Sequence, residues 1–276
     1  MKKVLSILPM LTVLFACSQE EPAKVEDQLV VEGWIEDGQA PVVYLTTTLD
    51  VSEEAVAISS LDDHLVKWAK VTISDGEEEV ILTALASKRF SPPFAYTTGR
   101  MFGKVGKTYS LTVDYGDLHA TAQATIPEPE ELLSLEASEY GNSDGGYLID
   151  AVFEPRKDSH YRIFCKTEKL DSTYLPAPEA FFDGAILEST ARVRIQPPSS
   201  YLYASERTSF QSGETVYVKF STMSSQMYDF WNVFGSQSYL HGAAVMSIDK
   251  NLPGNVSGGL GYFAGYGSTT YKVDIP

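Results

Sequence analysis

Cysteine is nearly missing from this chain: among 276 residues only Cys17 and Cys165 carry a thiol. Two thiols exclude a disulfide framework and a cysteine zinc set. Histidine is almost as scarce, and His64, His119, His160 and His241 stand apart, with no two at the i, i+4 spacing of a helical metal site. Ordinary surface histidines account for all four, and no metal is expected. Basic residues are outnumbered, 21 against 37 acidic ones, for a net charge of −16. That balance speaks against nucleic acid as a partner. The acids are spread along the chain, so a solvated surface explains them. Long apolar runs are missing too. The run from Val4 to Phe15, broken by Pro9, has 12 residues, against roughly twenty for a membrane-spanning helix.

Catalytic constellations are equally absent. No serine sits in a nucleophile-elbow context, and the carboxylates are too scattered for a pair to be chosen as acid and base. Asn142 and Asp144 before Gly145 and Gly146 faintly resemble a calcium loop, but the remaining oxygen ligands are not in their places, and a turn is expected. Gly259, Gly261 and Gly265 would suggest a phosphate cradle, yet Tyr262, Phe263, Tyr266 and Tyr271 to Ile275 imply strand rather than the helix such a cradle opens. Glycine there serves a bulge or a close backbone approach. The expectation is a protein that is not an enzyme and holds no cofactor.

What is present begins at the first residues. Lys2 and Lys3, the apolar run and then Leu14, Phe15, Ala16 and Cys17 read as a secretory signal (1–16) ending in a lipoprotein box. Cys17 is the expected lipidation site and the first mature residue. Its acyl chains, worth ~0.8 kcal/mol per buried CH2, anchor the chain in a membrane. Removing the signal takes away Lys2 and Lys3, leaving 19 basic against 37 acidic residues, a net charge of −18. Residues 17–27 are mostly polar or acidic and form a flexible tether. Cys165, left without a partner, shares a strand face with Tyr161 and Ile163 and is read as a core residue.

From Gln28 the pattern alternates with period two, the mark of half-buried strands. Leu29, Val31 and Ile35 share one parity, Val42 to Thr48 follows, and Val66 to Ile73 ends at the turn signal Asp75, Gly76. Tyr109, Leu111, Val113 and Tyr115, then Leu118, Ala120, Ala122, Ala124 and Ile126, form a hairpin with one dry face. Some seven short strands predict an immunoglobulin-like sandwich over 28–127. Pro127 to Glu131 marks the boundary to a second β-rich domain, 132–276. Its expected strands are Leu132–Ser138, Gly146–Phe153, His160–Thr167, Ala191–Gln196 and Thr215–Ser221.

One amphipathic helix is expected at about 224–240, capped by Ser224 or Ser225, with Met223, Met227, Phe230, Trp231 and Phe234 on one face. It covers the β-domain, or it docks a partner through an exposed Trp231. Asp171–Leu187 and Pro197–Arg207 read as long loops, where Phe181, Phe182, Tyr201 and Tyr203 could stack on a sugar or peptide. Aromatics in a β-protein serve more often as core.

The lipobox and acidic tether, then Leu29-Val30-Val31-Glu32-Gly33-Trp34-Ile35 and, near the end, Asn255-Val256-Ser257-Gly258-Gly259-Leu260-Gly261-Tyr262-Phe263, resemble a family. It is the outer-membrane lipoproteins of the Bacteroidota catalogued as domain of unknown function 4249, and the likeness covers nearly the whole mature chain. Members are often encoded near TonB-dependent receptors, and the family has no established catalytic residues. Ser18, Gln19, Glu20 and Glu21 resemble the surface-export signal of such lipoproteins, which implies an outer-membrane protein facing the exterior. The resemblance therefore implies an accessory lipoprotein assisting a TonB-dependent receptor in nutrient uptake. The alternative is a stand-alone carbohydrate- or peptide-binding surface lipoprotein.

Overall fold

The computed structural model describes residues 28–48, 64–90, 93–141, 145–198, 207–241 and 252–276. Cys17, the tether, the turn at Asn142 and Asp144, and Tyr201 and Tyr203 lie outside them. The chain is mainly β. Its strands are β1 (Leu29–Glu36), β2 (Val42–Thr47), β3 (Lys70–Ser74), β4 (Glu79–Ile81), β5 (Thr83–Ala86), β6 (Phe94–Thr97), β7 (Thr108–Tyr115) and β8 (Leu118–Thr125). Then follow β9 (Ser134–Tyr140), β10 (Gly146–Phe153), β11 (His160–Thr167), β12 (Leu175–Asp183), β13 (Ala191–Ile195), β14 (Thr215–Met223), α1 (Ser225–His241) and β15 (Gly259–Asp274).

Eight strands make one long sheet in the order β12-β11-β14-β15-β1-β2-β6-β5. Its inner face carries two smaller sheets, β4-β3-β7-β8 and β13-β10-β9. Alternation explains why. Leu29, Val31, Ile35, Val43 and Leu45 point inward against Val71, Ile73, Tyr109, Leu111 and Val113, closing an immunoglobulin-like sandwich. Further along, Tyr161, Ile163, Cys165, Val216, Val218 and Phe220 meet Ile149, Ala151, Phe153, Val193 and Ile195 in a second core. Cys165 is a buried free thiol there, pushed well up by burial and so held in its unreactive protonated form.

β15 joins the two. Residues Gly259–Tyr266 run parallel to β1, and Gly267–Asp274 run antiparallel to β14. Phe263 thus enters the first core and Val273 the second. Glycine allows the passage. A Cβ at Gly265 would lie 2.3 Å from the Thr125 carbonyl oxygen, and one at Gly267 2.2 Å from that of Pro127. The close-approach reading of this glycine run therefore holds. The segment between the cores is fastened to the same strands: Thr222 Oγ1 donates to Glu128 O at 2.8 Å, Thr269 Oγ1 to Glu130 O at 2.9 Å, and Leu132 N to Tyr271 Oη at 2.7 Å.

Residues 175–183 depart from expectation. They form β12, not a loop, with Phe164 opposite Pro176 and Tyr161 opposite Phe182. β12 is an edge strand with one neighbour, so proline's missing donor is tolerated on its open side. β5 and β6 were not expected from the alternation either.

Candidate functional site

The outer face of the long sheet collects charge and rings. The same alternation that sends Tyr161, Ile163, Val218 and Val31 inward turns Arg162, Phe164, Lys219, Glu32, Trp34 and Glu36 outward. β15 contributes Tyr262 and Tyr266 to this face, and α1 lies over it. Ser224 caps the helix, its Oγ accepting from Met227 N at 3.4 Å. Met227, Phe230 and Trp231 pack on Met223, Tyr262, Ala264 and Tyr266, forming a third apolar cluster beneath the helix.

Two cations sit in aromatic cages. The Arg162 guanidinium carbon lies 4.5 Å from the Trp231 ring centre, 5.4 Å from Phe181 and 5.9 Å from Phe164. Lys219 Nζ lies 4.7 Å from the Tyr174 ring centre and 5.1 Å from that of Phe164. The same nitrogen donates to Glu36 Oε1 at 2.5 Å, and the two side chains are only 11% and 8% exposed. Cations over ring faces are held by the ring quadrupole, more strongly where water is excluded.

Hydrogen bonds fix the rest. Tyr262 Oη donates to Glu32 Oε1 at 3.0 Å, and Trp231 Nε1 donates to Tyr266 Oη at 3.3 Å. Burial pushes the Glu32 carboxyl up, with the Tyr262 bond opposing it. Burial, reinforced by the Glu32 charge, drives the Tyr262 phenol well above its ordinary range. Tyr266 moves the same way, again by burial first. The arrangement holds the Lys219 cation on the Glu36 carboxylate and, separately, the Glu32 carboxyl on the Tyr262 phenol. Chemically it is a held, dry, charged surface that grips α1.

The residues singled out in the sequence divide as follows. Phe181 stands on β12 directly opposite Arg162, half-buried and 6.1 Å ring to ring from Tyr228. Phe182 turns the other way and packs against the second core. Neither belongs to a loop, which corrects their placement as exposed stacking groups. Trp231 is 8% exposed and faces the sheet. The docking reading needs an exposed indole, so Trp231 is a core residue of the helix instead. Arg162, Lys219, Glu32 and Glu36 were missed. They occupy the polar parity of their strands, and in the sequence they read as ordinary surface. Trp68 was missed as well: it is 90% exposed.

Among the described residues no group of three or more His, Cys, Asp or Glu side chains is placed to hold a metal ion. No described helix is long and apolar enough to cross a membrane.

Solved structures with some likeness include a two-domain fibronectin type III segment of chicken tenascin, at 11% identity and a TM-score of 0.21, covering 71% of this chain and 91% of that one. Another is a DUF4785 family protein from Legionella pneumophila, at 9% identity and a TM-score of 0.21, covering 69% of this chain and 51% of that one. No curated protein matches the sequence. The family pattern described as "Domain of unknown function (DUF4249)" matches residues 17–272, and the chain belongs to that family.

Proposed function

We propose that this protein is a lipid-anchored accessory module of the outer membrane that assists a TonB-dependent receptor in nutrient capture or uptake, and that it does so without catalysis. The observation that carries the reading is the lipoprotein box Leu14-Phe15-Ala16-Cys17, set eleven residues before the first strand. The described body supports it. A strand shared by two cores and a fastened linker make a stiff arm, suited to presenting a surface at a fixed distance from a membrane. The body faces the cell exterior, in keeping with the acidic run Ser18 to Glu21. Stand-alone glycan or peptide binding has less support, because Phe181 and Phe182 are half-buried against the body.

Two measurements test the proposal. Mass spectrometry of the native chain should find acyl groups on Cys17, and a free thiol there would contradict the anchor. Mild detergent extraction should bring a β-barrel receptor with the protein, and a chain that never associates with one would overturn the accessory role.

A further inference from the structure

Of the three tryptophans, Trp231 is buried, Trp34 half-buried, and Trp68 stands in water, 90% exposed, with Lys67 and Lys70 exposed beside it. An indole is amphipathic and gains most where one side is apolar and the other wet. Register shows where it stands. Leu65 bridges Thr46, Val66 N donates to Leu45 O at 2.9 Å, and Lys70 pairs with Asp114. Leu29 pairs with both Thr47 and Gly259. All of these lie at one end of the first sandwich, the end where Gln28 leads into β1. β6 runs from Thr97, opposite Val42, back to Phe94 in the direction of Thr47. The connection that precedes β6, with exposed Lys88 and Arg89, therefore opens at the same end.

From Cys17 to Gln28 the chain spans at most about 40 Å when fully extended. An acyl group at Cys17 thus holds this end of the sandwich nearest the bilayer.

We infer that this end is a membrane-docking surface, with Trp68 seated in the interfacial zone of a phospholipid bilayer and Lys67, Lys70, Lys88 and Arg89 on head-group phosphates. The inference rests on the lipid anchoring proposed above. Tryptophan concentrates at the membrane–water boundary, and each cation near an anionic surface strengthens partitioning by about fivefold. The full chain carries a net charge of −16, so an anionic surface repels most of the body. An exposed indole with lysines beside it in sequence selects one orientation against that repulsion. The acids at this end are Asp114, paired with His119 at 2.7 Å, Asp117 in the β7–β8 turn, and, in the tether that leads into Gln28, Glu20, Glu21, Glu26 and Asp27. Residues 49–63, outside the described structure, carry five more acids in the sequence between Thr48 and His64. Orientation accordingly depends on the indole as well as on the cations, and each is tested separately.

The experiment uses the full native chain, reconstituted into vesicles of phosphatidylglycerol and phosphatidylethanolamine with lipids brominated near the head group. Tryptophan emission should be quenched by the bromines, and Trp68→Phe should abolish that quenching with the fold intact by circular dichroism. Lys67→Gln combined with Lys70→Gln should weaken docking about thirtyfold, from about fivefold per cation, and the loss should disappear on phosphatidylcholine. Equal quenching in the native chain and Trp68→Phe would overturn the docking, as would Trp68 remaining open to acrylamide after reconstitution. Shielding of Trp68 that appears only with a receptor protein, and not with lipid, would overturn it too. Acylation is read by mass spectrometry on the same preparation. A missing lipid overturns the anchor and with it the docking, whereas an acylated chain whose Trp68 ignores the bromines overturns the docking alone.

Discussion

The two faces of the long sheet are built from the same strands by different chemistry. The inner face is apolar nearly throughout and divides into two cores, one under β1 and β2 and one under β11 and β14. The outer face buries charge among rings, with Lys219 on Glu36 and Arg162 between Trp231 and Phe181. Apolar burial is non-directional and tolerates swaps that conserve volume. Buried charge requires its partner in place, because a lone ion in a dry site costs several kcal/mol. The inner face therefore supplies stability, and the outer face fixes how α1 sits.

The comparison is broken most severely from inside. Phe220 is fully buried, stacked on Tyr161 at 5.3 Å and tilted on Phe153 at 4.8 Å. Phe220→Ala should lower unfolding free energy by about 4 kcal/mol in a denaturant titration. On the outer face, Lys219→Met strands Glu36 without its partner and should cost about 3 kcal/mol in the same assay. The double variant Lys219→Met with Glu36→Leu should recover most of that loss, since an apolar pair of similar volume replaces the ions. If the double variant stays as unstable as the single one, the pair contributes net stability and the contrast between the faces is weaker.

Smaller effects sharpen the same contrast. Tyr266→Phe deprives the buried Trp231 Nε1 of its acceptor and should cost about 1 kcal/mol, with greater hydrogen exchange in α1. Glu32 titrates with a sign that can be stated. Its folded pKa is raised by burial, so its contribution is full below the unfolded carboxyl value and is lost as pH rises through the folded one. Glu32→Gln keeps an acceptor for Tyr262 and should be the more stable chain at neutral pH, the difference vanishing in acid. Trp68→Phe, at a solvated position, should leave stability within about 0.5 kcal/mol of the native chain.

The inner face was the legible one. Gly146–Phe153 and His160–Thr167 are read from alternation alone and occur as β10 and β11 with those bounds. β12 was hidden by Pro176 and Pro178, which exclude a central strand but not an edge. β15 was visible as strand, but its double pairing was not. Its first half meets β1 at the far end of the sequence, and no local pattern encodes so distant a contact. The charged outer face stayed hidden for a related reason. Arg162 and Lys219 fall on the parity that usually faces water, and only the helix and the rings around them turn that surface into an interior. Trp68 lay within the run Val66 to Ile73 read as strand, whereas the strand begins only at Lys70 and leaves the indole in water.

The central claim is that Gly259–Asp274 serves both cores, so that damage to one is felt in the other. Hydrogen exchange read by mass spectrometry on Phe263→Ala, a substitution confined to the first core, tests it directly. Protection should be lost in β1 and β2 and also, through β15, in β14 and β11. Unchanged protection in β14 and β11 would contradict it and leave two independent halves.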